Sequence, residues 1–351
     1  MAKKILIAPL DWGLGHATRC IPIIQSLLYK KNEVILGVTP ANEKLLRQEF
    51  PLLECVNLIS SDIKYTGKLP VWWNVLIDYP RLNKLLQEEN TLIAKLVKEK
   101  NIDIIISDNR YGCFSNHTKN IFITHQLKIK SPLFERKANK ILSKKLKHFD
   151  EIWVPDNEDS IHNLSGELSH GNFDHPKIKY IGILSRFDFT ESEEKKDFAF
   201  SFLISGIEPR RTHFENEAID FINSSEGAYC LIRGTEQMLS KKITNPNCQI
   251  FDFPKSEALE KILQASSAAI CRSGYSSIMD LAKLKIPAYL LPTPGQTEQE
   301  YLANYLDGKF GFRKINSVME IKNIILEKVN SSNQFLNQQE FQNFTIGIIL
   351  L

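Results

Sequence analysis

The chain has no paired cysteines. Its six, Cys20, Cys55, Cys113, Cys230, Cys248 and Cys271, are scattered, with no Cys-x-x-Cys and no histidine at metal-ligand spacing. That excludes a disulfide scaffold and a zinc site and leaves buried, reduced thiols. No apolar run reaches the ~18 residues needed to cross a bilayer. The apolar start, Ile5-Leu6-Ile7-Ala8-Pro9, is too short for a signal sequence and reads as a first strand, so a cytoplasmic location is expected. No large charge excess exists either: a formal +3 over 351 residues does not argue for nucleic acid. A Walker A loop is missing, and so is an Asp-x-Asp motif. Gly13-Leu14-Gly15 lacks the third glycine of the dinucleotide fingerprint, because His16 follows Gly15 and position 18 is Thr18. A nicotinamide dehydrogenase is therefore rejected.

What is present is an α/β pattern long enough for two domains. The composition, 43% hydrophobic and 24% charged, fits a substantial core in each. Lys4–Pro9 reads as a strand and Ala17–Lys30 as a helix, with Ile21, Ile24, Leu27 and Leu28 on one face. Strand Glu33–Val38 and helix Pro40–Phe50 follow, then helix Asn83–Glu99. Strand Asp103–Ser107 delivers Asp108 and Arg110 at its carboxyl end, and strand Ile121–Thr124 delivers His125. Strand ends are where open-sheet sites are built, so Asp108, Arg110 and His125 are candidates. Loop hydrogen bonding is the competing role for all three. Between these elements, Trp72-Trp73 lies in an aromatic stretch, placed either against an acceptor or membrane or packed on the next helix. From Lys128 to Lys147 eight Lys or Arg face one Glu, with apolar residues at helical spacing. This basic amphipathic helix either docks on the sheet as a solvated surface or meets anionic lipid, at about 1 kcal/mol per basic residue.

Gly182 to Arg186 reads as the hinge, followed by a charged linker, Glu191–Lys196. The expected division is 1–185, 186–330 and a tail, 331–351. Strand Phe198–Ile204 then feeds Ser205-Gly206 and Arg210-Arg211 ahead of a helix. Free N–H groups at a helix start, beside glycine and cations, suit a diphosphate. Strands Ala228–Ile232 and Gln249–Phe253 follow. Last comes Cys271 to Asn304, read as strand end, Arg272-Ser273-Gly274 turn, helix Tyr275–Leu284, strand Ala288–Leu291, Pro-rich loop and helix Thr297–Leu306.

This last stretch resembles the donor-binding half of glycosyltransferase family 28. The resemblance rests on Arg272-Ser273-Gly274, then Asp280, then Pro292-Thr293-Pro294, then Gln299-Glu300 ahead of Ala303-Asn304. Asp280 stands where the family usually has Glu, and Glu300 where Gln is common. The Gly-x-Gly-His loop resembles the N-terminal loop of GT-B transferases. The resemblance implies a GT-B fold: two Rossmann-like parallel-sheet α/β domains facing a central cleft. It implies an inverting transfer from a UDP-sugar to a cell-envelope, lipid-linked or glycan acceptor, without metal or other cofactor. His16 is then the base, with Asp108 the next candidate, and Gly15 lies beside the substrates. Ser205, Gly206, Arg186, Arg210 and Arg211 serve the diphosphate and Phe253 the uracil. Asp280 serves the ribose, and Gln299 and Glu300 the sugar. Arg110, His125, Trp72 and Trp73 are left to the acceptor. A peripheral site on the inner membrane face fits the basic helix. A nucleotide-sugar epimerase of the same fold and a non-catalytic donor- or lipid-binding subunit are the alternatives.

Overall fold

A computed structural model describes residues 2–60, 79–130, 135–171, 177–187 and 196–324. Trp72, Trp73, most of the charged linker and the tail from residue 325 lie outside the described residues. Two compact units result, one ending at Arg186 and the other beginning at Phe187.

The first unit runs β1 (Lys4–Pro9), α1 (Gly15–Tyr29), β2 (Glu33–Val38), α2 (Glu43–Glu49), β3 (Glu54–Asn57), α3 (Tyr79–Lys100), β4 (Ile104–Asp108), β5 (Lys119–Ile123), α4 (Glu135–Leu146), β6 (Glu151–Val154) and β7 (Ile178–Tyr180). Its seven strands pair in the order β3-β2-β1-β4-β5-β6-β7, all parallel. Strands covered on both faces are continuous apolar runs, which is what Ile5 to Ala8 and Ile104 to Ile106 are. Register decides what meets at the carboxyl edge: Pro9 pairs with Asp108, and Asp108 with Ile123. The chain reverses its direction of travel across the sheet between β1 and β4. That switch point is where an open sheet leaves a crevice.

Three local results differ from the sequence reading. Helix α1 begins at Gly15, so Gly15 and His16 form its first turn instead of a preceding loop. Thr18 N–H donates to Leu14 O at 2.9 Å and Thr18 Oγ1 to Gly15 O at 2.9 Å, winding that turn. Gly13, at φ +84°, supplies the left-handed step before it. Helix α2 starts late, at Glu43, because Asn42 Oδ1 accepts from Thr39 N–H at 2.9 Å and holds a turn there. The short edge strand β3 gives too weak a pattern to read from sequence.

The second unit runs β8 (Phe198–Leu203), α5 (Arg210–Asn223), β9 (Tyr229–Ile232), β10 (Cys248–Phe251), α6 (Ser256–Gln264), β11 (Ser266–Cys271), α7 (Tyr275–Lys283), β12 (Ala288–Leu290), α8 (Thr297–Leu306) and β13 (Phe312–Lys314). Its six strands pair in the order β10-β9-β8-β11-β12-β13, again all parallel. Here the switch point lies between β8 and β11, with Leu203 paired to Cys271. The core is aromatic: Phe200, Phe202, Phe221 and Tyr229 pack together, with Val318, Ile321 and Ile324 closing over them.

The basic helix α4 docks on its own sheet. Leu142 and Leu146 are buried with Phe122, Phe149 and Ile152, while Arg136, Lys137, Lys140 and Lys144 stay exposed. Among the described residues no helix is long and apolar enough to cross a membrane.

Candidate functional site

The switch point of the first sheet gathers four side chains. His16 comes from the first turn of α1 and Arg19 from the next. Asp108 ends β4, and His125 follows β5. Asp108 is fully buried, Arg19 is 2% exposed and His125 4% exposed. The His16 side chain keeps 16% exposure, so it is the member that solvent or a substrate reaches. His16 Nδ1 lies 3.2 Å from Asp108 Oδ1. Arg19 Nε donates to Asp108 Oδ2 at 2.7 Å, and Arg19 Nη2 donates to Asp108 Oδ1. The guanidinium also reaches both imidazoles, Nη2 to His16 Nδ1 at 3.0 Å and Nη1 to His125 Nδ1 at 3.0 Å. The Cys20 thiol lies 3.7 Å from Asp108 Oδ2, and burial pushes it well above the usual thiol range, so it stays a thiol.

The electrostatics follow from this packing. Burial pushes the Asp108 carboxyl up, but Arg19 and His16 outweigh burial and leave it at about 2. Burial pulls His16 below its ordinary value; Asp108 works against that pull and Arg19 with it. His16 is accordingly a neutral imidazole at pH 7. With its proton on Nδ1, facing Asp108, the ring carries its lone pair on Nε2, the form a general base needs; with Nδ1 bare it accepts from Arg19 Nη2.

Arg110 has a different task. It is 3% exposed and donates through Nε to Glu89 Oε1 at 2.7 Å, with further contacts to Ile59 O and Asp11. It ties α3 to the loops after β1 and β3. Its carbonyl accepts from Ser107 Oγ at 2.6 Å. The tight turn at Asn109 (φ +55°) sends Arg110 back into the protein, whereas Asp108 stays at the edge.

In the second unit, the Arg272-Ser273-Gly274 turn, the loop after β12 and the start of α8 are bonded into one piece. Ser273 Oγ donates to Gln299 O at 2.8 Å. Gln299 Oε1 accepts from Thr293 N–H at 2.9 Å, and Glu300 Oε1 from Gly295 N–H at 2.7 Å. Among the described residues, Gln299 Nε2 and Glu300 Oε2 carry no hydrogen bond. The start of α8 thus offers one donor and one acceptor. Asp280 lies on the second turn of α7 and is 6% exposed.

Helix α7 begins directly after Gly274, with no side-chain cap, and a Cβ built on Gly274 meets nothing within 4 Å. Open space at a helix start suits an anion. The start of α5 does not. There Glu208 Oε2 accepts from Thr212 N–H at 3.2 Å and from Thr212 Oγ1 at 2.8 Å, so a carboxylate already takes that place. Ser205-Gly206 precedes it, with Gly206 at φ +118°.

The arginines expected to meet the donor differ in what already holds them. Arg211 is 8% exposed, and its Nη2 donates to Glu215 Oε1 at 2.8 Å and to Arg233 O at 3.0 Å. Arg272 is 5% exposed, lies over the Phe214 ring at 4.7 Å and donates to Pro292 O at 3.2 Å. Burial lowers its pKa to about 10. Arg210 donates to Pro294 O, linking the start of α5 to the loop after β12. Arg186 is the last residue of the first unit, and Phe253 is half-buried just beyond β10.

Comparison with known proteins agrees with this architecture. Residues 232–323 match the glycosyltransferase family 28 C-terminal domain. A protein of Methanosarcina mazei, named an uncharacterized glycosyltransferase, is 25% identical over 342 residues, covering 92% of this chain and 88% of its own. Methanosarcina acetivorans has a similar one, also 25% identical, over 357 residues. The chain is a glycosyltransferase of the GT-B fold, with a family 28-like stretch in its second unit.

Solved structures share that fold at low identity. The spinosyn forosaminyltransferase SpnP superposes with a TM-score of 0.65 at 12% identity, covering 98% of this chain and 96% of that one. The spinosyn rhamnosyltransferase SpnG, solved with thymidine diphosphate, gives 0.61 at 10% identity, covering 95% and 92%. MurG of Acinetobacter baumannii gives 0.53 at 11% identity, covering 97% and 92%. The residue that sequence reasoning missed in this glycosyltransferase is Arg19. Its signal, the three-residue spacing that puts two side chains on one helix face, shows only once α1 is known to begin at Gly15.

Proposed function

We propose that the enzyme moves a hexose or N-acetylhexosamine from a UDP-sugar to a cell-envelope or lipid-linked acceptor, with inversion and without a metal. The observation that carries the reading is His16: a neutral imidazole, oriented by a buried carboxylate, still partly exposed at the switch point of its sheet. In this mechanism His16 Nε2 takes the acceptor O–H proton as the acceptor oxygen bonds to the anomeric carbon. The bond from that carbon to the phosphate oxygen breaks, and its electron pair leaves on UDP. Backbone N–H groups at the start of α7 stabilise the charge that develops there. Gln299 Nε2 and Glu300 Oε2 orient the sugar hydroxyls, and Asp280 the ribose. Arg110, buried on Glu89, supports the loops around the site instead of touching acceptor. The exposed basic face of α4 suits a peripheral place on anionic lipid.

Calorimetric titration with UDP, UDP-N-acetylglucosamine, UDP-galactose and a GDP-sugar tests the donor half. The expected result is preferential UDP-sugar binding, weakened in Asp280→Ala. His16→Ala should keep that binding and lose 10²–10⁴-fold in turnover. Absence of nucleotide binding removes the reading. Retained turnover in His16→Ala removes the base assignment. A changed sugar without any acceptor would mark an epimerase.

A further inference from the structure

Arg19 touches both His16 and Asp108, and the transfer mechanism above makes no use of it. A guanidinium offers five N–H donors in a rigid plane. Here two of its nitrogens are directed at the two oxygens of one carboxylate, through Nε to Oδ2 at 2.7 Å and Nη2 to Oδ1. The same Nη2 lies 3.0 Å from His16 Nδ1, the nitrogen that also faces Asp108. The charged and titratable groups facing His16 are Asp108 from β4, Arg19 from α1 itself and His125 beyond β5, with the Cys20 thiol behind Asp108.

We infer that Arg19 is a positioning residue that sets the basicity of His16, by holding the Asp108 carboxylate in a buried two-pronged pair. This rests on the assignment of His16 as the base. A bare carboxylate beside an imidazole strengthens the imidazolium, by about one to three pH units. A carboxylate already balanced by a guanidinium does so far less. His16 is thereby kept neutral and ready to accept, and its charged form is short-lived. Asp108 and Arg19 each satisfy one tautomer of His16. If Nδ1 carries the proton, it donates to Asp108 and Nε2 is the base. If Nδ1 is bare, it accepts from Arg19 Nη2 and the proton sits on Nε2, which cannot then act. When Nε2 takes the acceptor proton, Nδ1–H must face Asp108, and Arg19 stays on the carboxylate. Burial and Arg19 both pull the His16 pKa down while Asp108 pulls it up, in keeping with this balance.

The test needs no acceptor. The full chain, labelled with isotopic histidine, is titrated by NMR, with the His16 ring assigned from His16→Asn. The ring nitrogen shifts report both pKa and tautomer. Arg19→Met should raise the His16 pKa by about one pH unit or more, and Asp108→Asn should lower it. Arg19→Lys supplies a single point charge in place of the two-pronged pair and should fall between wild type and Arg19→Met. An unchanged or lowered pKa in Arg19→Met overturns the inference. Should that variant not fold, Arg19→Lys decides alone, and no rise in it overturns the inference equally. UDP release from UDP-N-acetylglucosamine, followed against pH, separates the two claims. A raised pKa with UDP release that His16→Asn leaves untouched supports the role of Arg19 and removes His16 as base.

Discussion

Replacing Glu215 with Gln should destabilise the second unit more than any other single isosteric change there. Glu215 is 1% exposed on α5 and accepts from Arg211 Nη2 at 2.8 Å and from Arg233 Nε at 2.7 Å. Both guanidinium groups are themselves buried, at 8% and 3% exposure. Already in the native cluster, Arg211 Nε and Arg233 Nη2 are buried without a partner among the described residues. The remaining counter-charges are Asp252, which accepts from Arg233 Nη1 at 2.7 Å, and Glu208, 3.5 Å from Arg211 Nη1, but their side chains are 52% and 47% exposed and water weakens their effect. Glu215→Gln keeps the shape and removes the one buried negative charge shared by two buried positive ones. Breaking a buried pair in this way costs about 3–5 kcal/mol. In a domain of this size 1 kcal/mol moves Tm by about 2–4 °C, so a fall of roughly 6–20 °C is expected. Differential scanning calorimetry of the full chain at pH 7 measures it. The double variant Glu215→Gln, Arg233→Met should recover part of the loss, because one uncompensated charge is gone. A fall under about 3 °C for the single variant would refute the argument and mean that water or rearrangement screens the pair. The same cluster joins the carboxyl ends of β9 and β10 to α5, so its loss should also weaken UDP binding.

Three further outcomes follow from the same geometry. Asp108 holds its proton only near pH 2 in the folded chain, against an ordinary 3.8, so its contribution is complete above about pH 4. As pH falls from 4 towards 2 that contribution, on the order of 2 kcal/mol, is lost, because the unfolded chain binds the proton first; urea unfolding at pH 5 and pH 2.5 should show a smaller difference in Asp108→Asn than in wild type. Gly206→Ala should cost about 1–3 kcal/mol through backbone strain at φ +118°, since only Arg211 N lies as near as 4.0 Å to the added Cβ; an unchanged melting temperature would show that the turn relaxes freely. Glu300→Gln keeps the acceptor for Gly295 N–H and exchanges the open Oε2 for a donor, so calorimetry should show an unchanged fold with a reordered ranking of UDP-sugars, and an unchanged ranking would place the sugar elsewhere.

The strands were legible because a parallel sheet covered on both faces demands continuous apolar runs, and Ile104-Ile105-Ile106 or Ala268-Ala269-Ile270 admit few other readings. The exceptions have local causes. Strand β3 is a four-residue edge with a half-exposed pattern, too short to stand out. The first turn of α1 looked like a loop because Gly15 is a poor helix former, yet the bonds at Thr18 close the turn over it. The arginines show the limit most clearly. Arg110, Arg211 and Arg272 carry the residue type that holds a phosphate, and sequence position alone puts each at a strand end or helix start. Their partners, Glu89, Glu215 and the Phe214 ring, are brought in from other elements by packing.

The amino-acid sequence by itself determined two parallel α/β units, a Gly-x-Gly-His start and a stretch that resembles family 28. Apolar periodicity, glycine placement and motif spacing are local properties, written along the chain. Only the tertiary structure decided which charges are available for chemistry. His16 and Asp108 meet because β1 and β4 pair in one register, and Arg19 reaches both because α1 crosses that same edge. Whether an arginine binds a ligand or a buried carboxylate depends on what the fold places within about 3 Å of it, a distance that no sequence spacing sets.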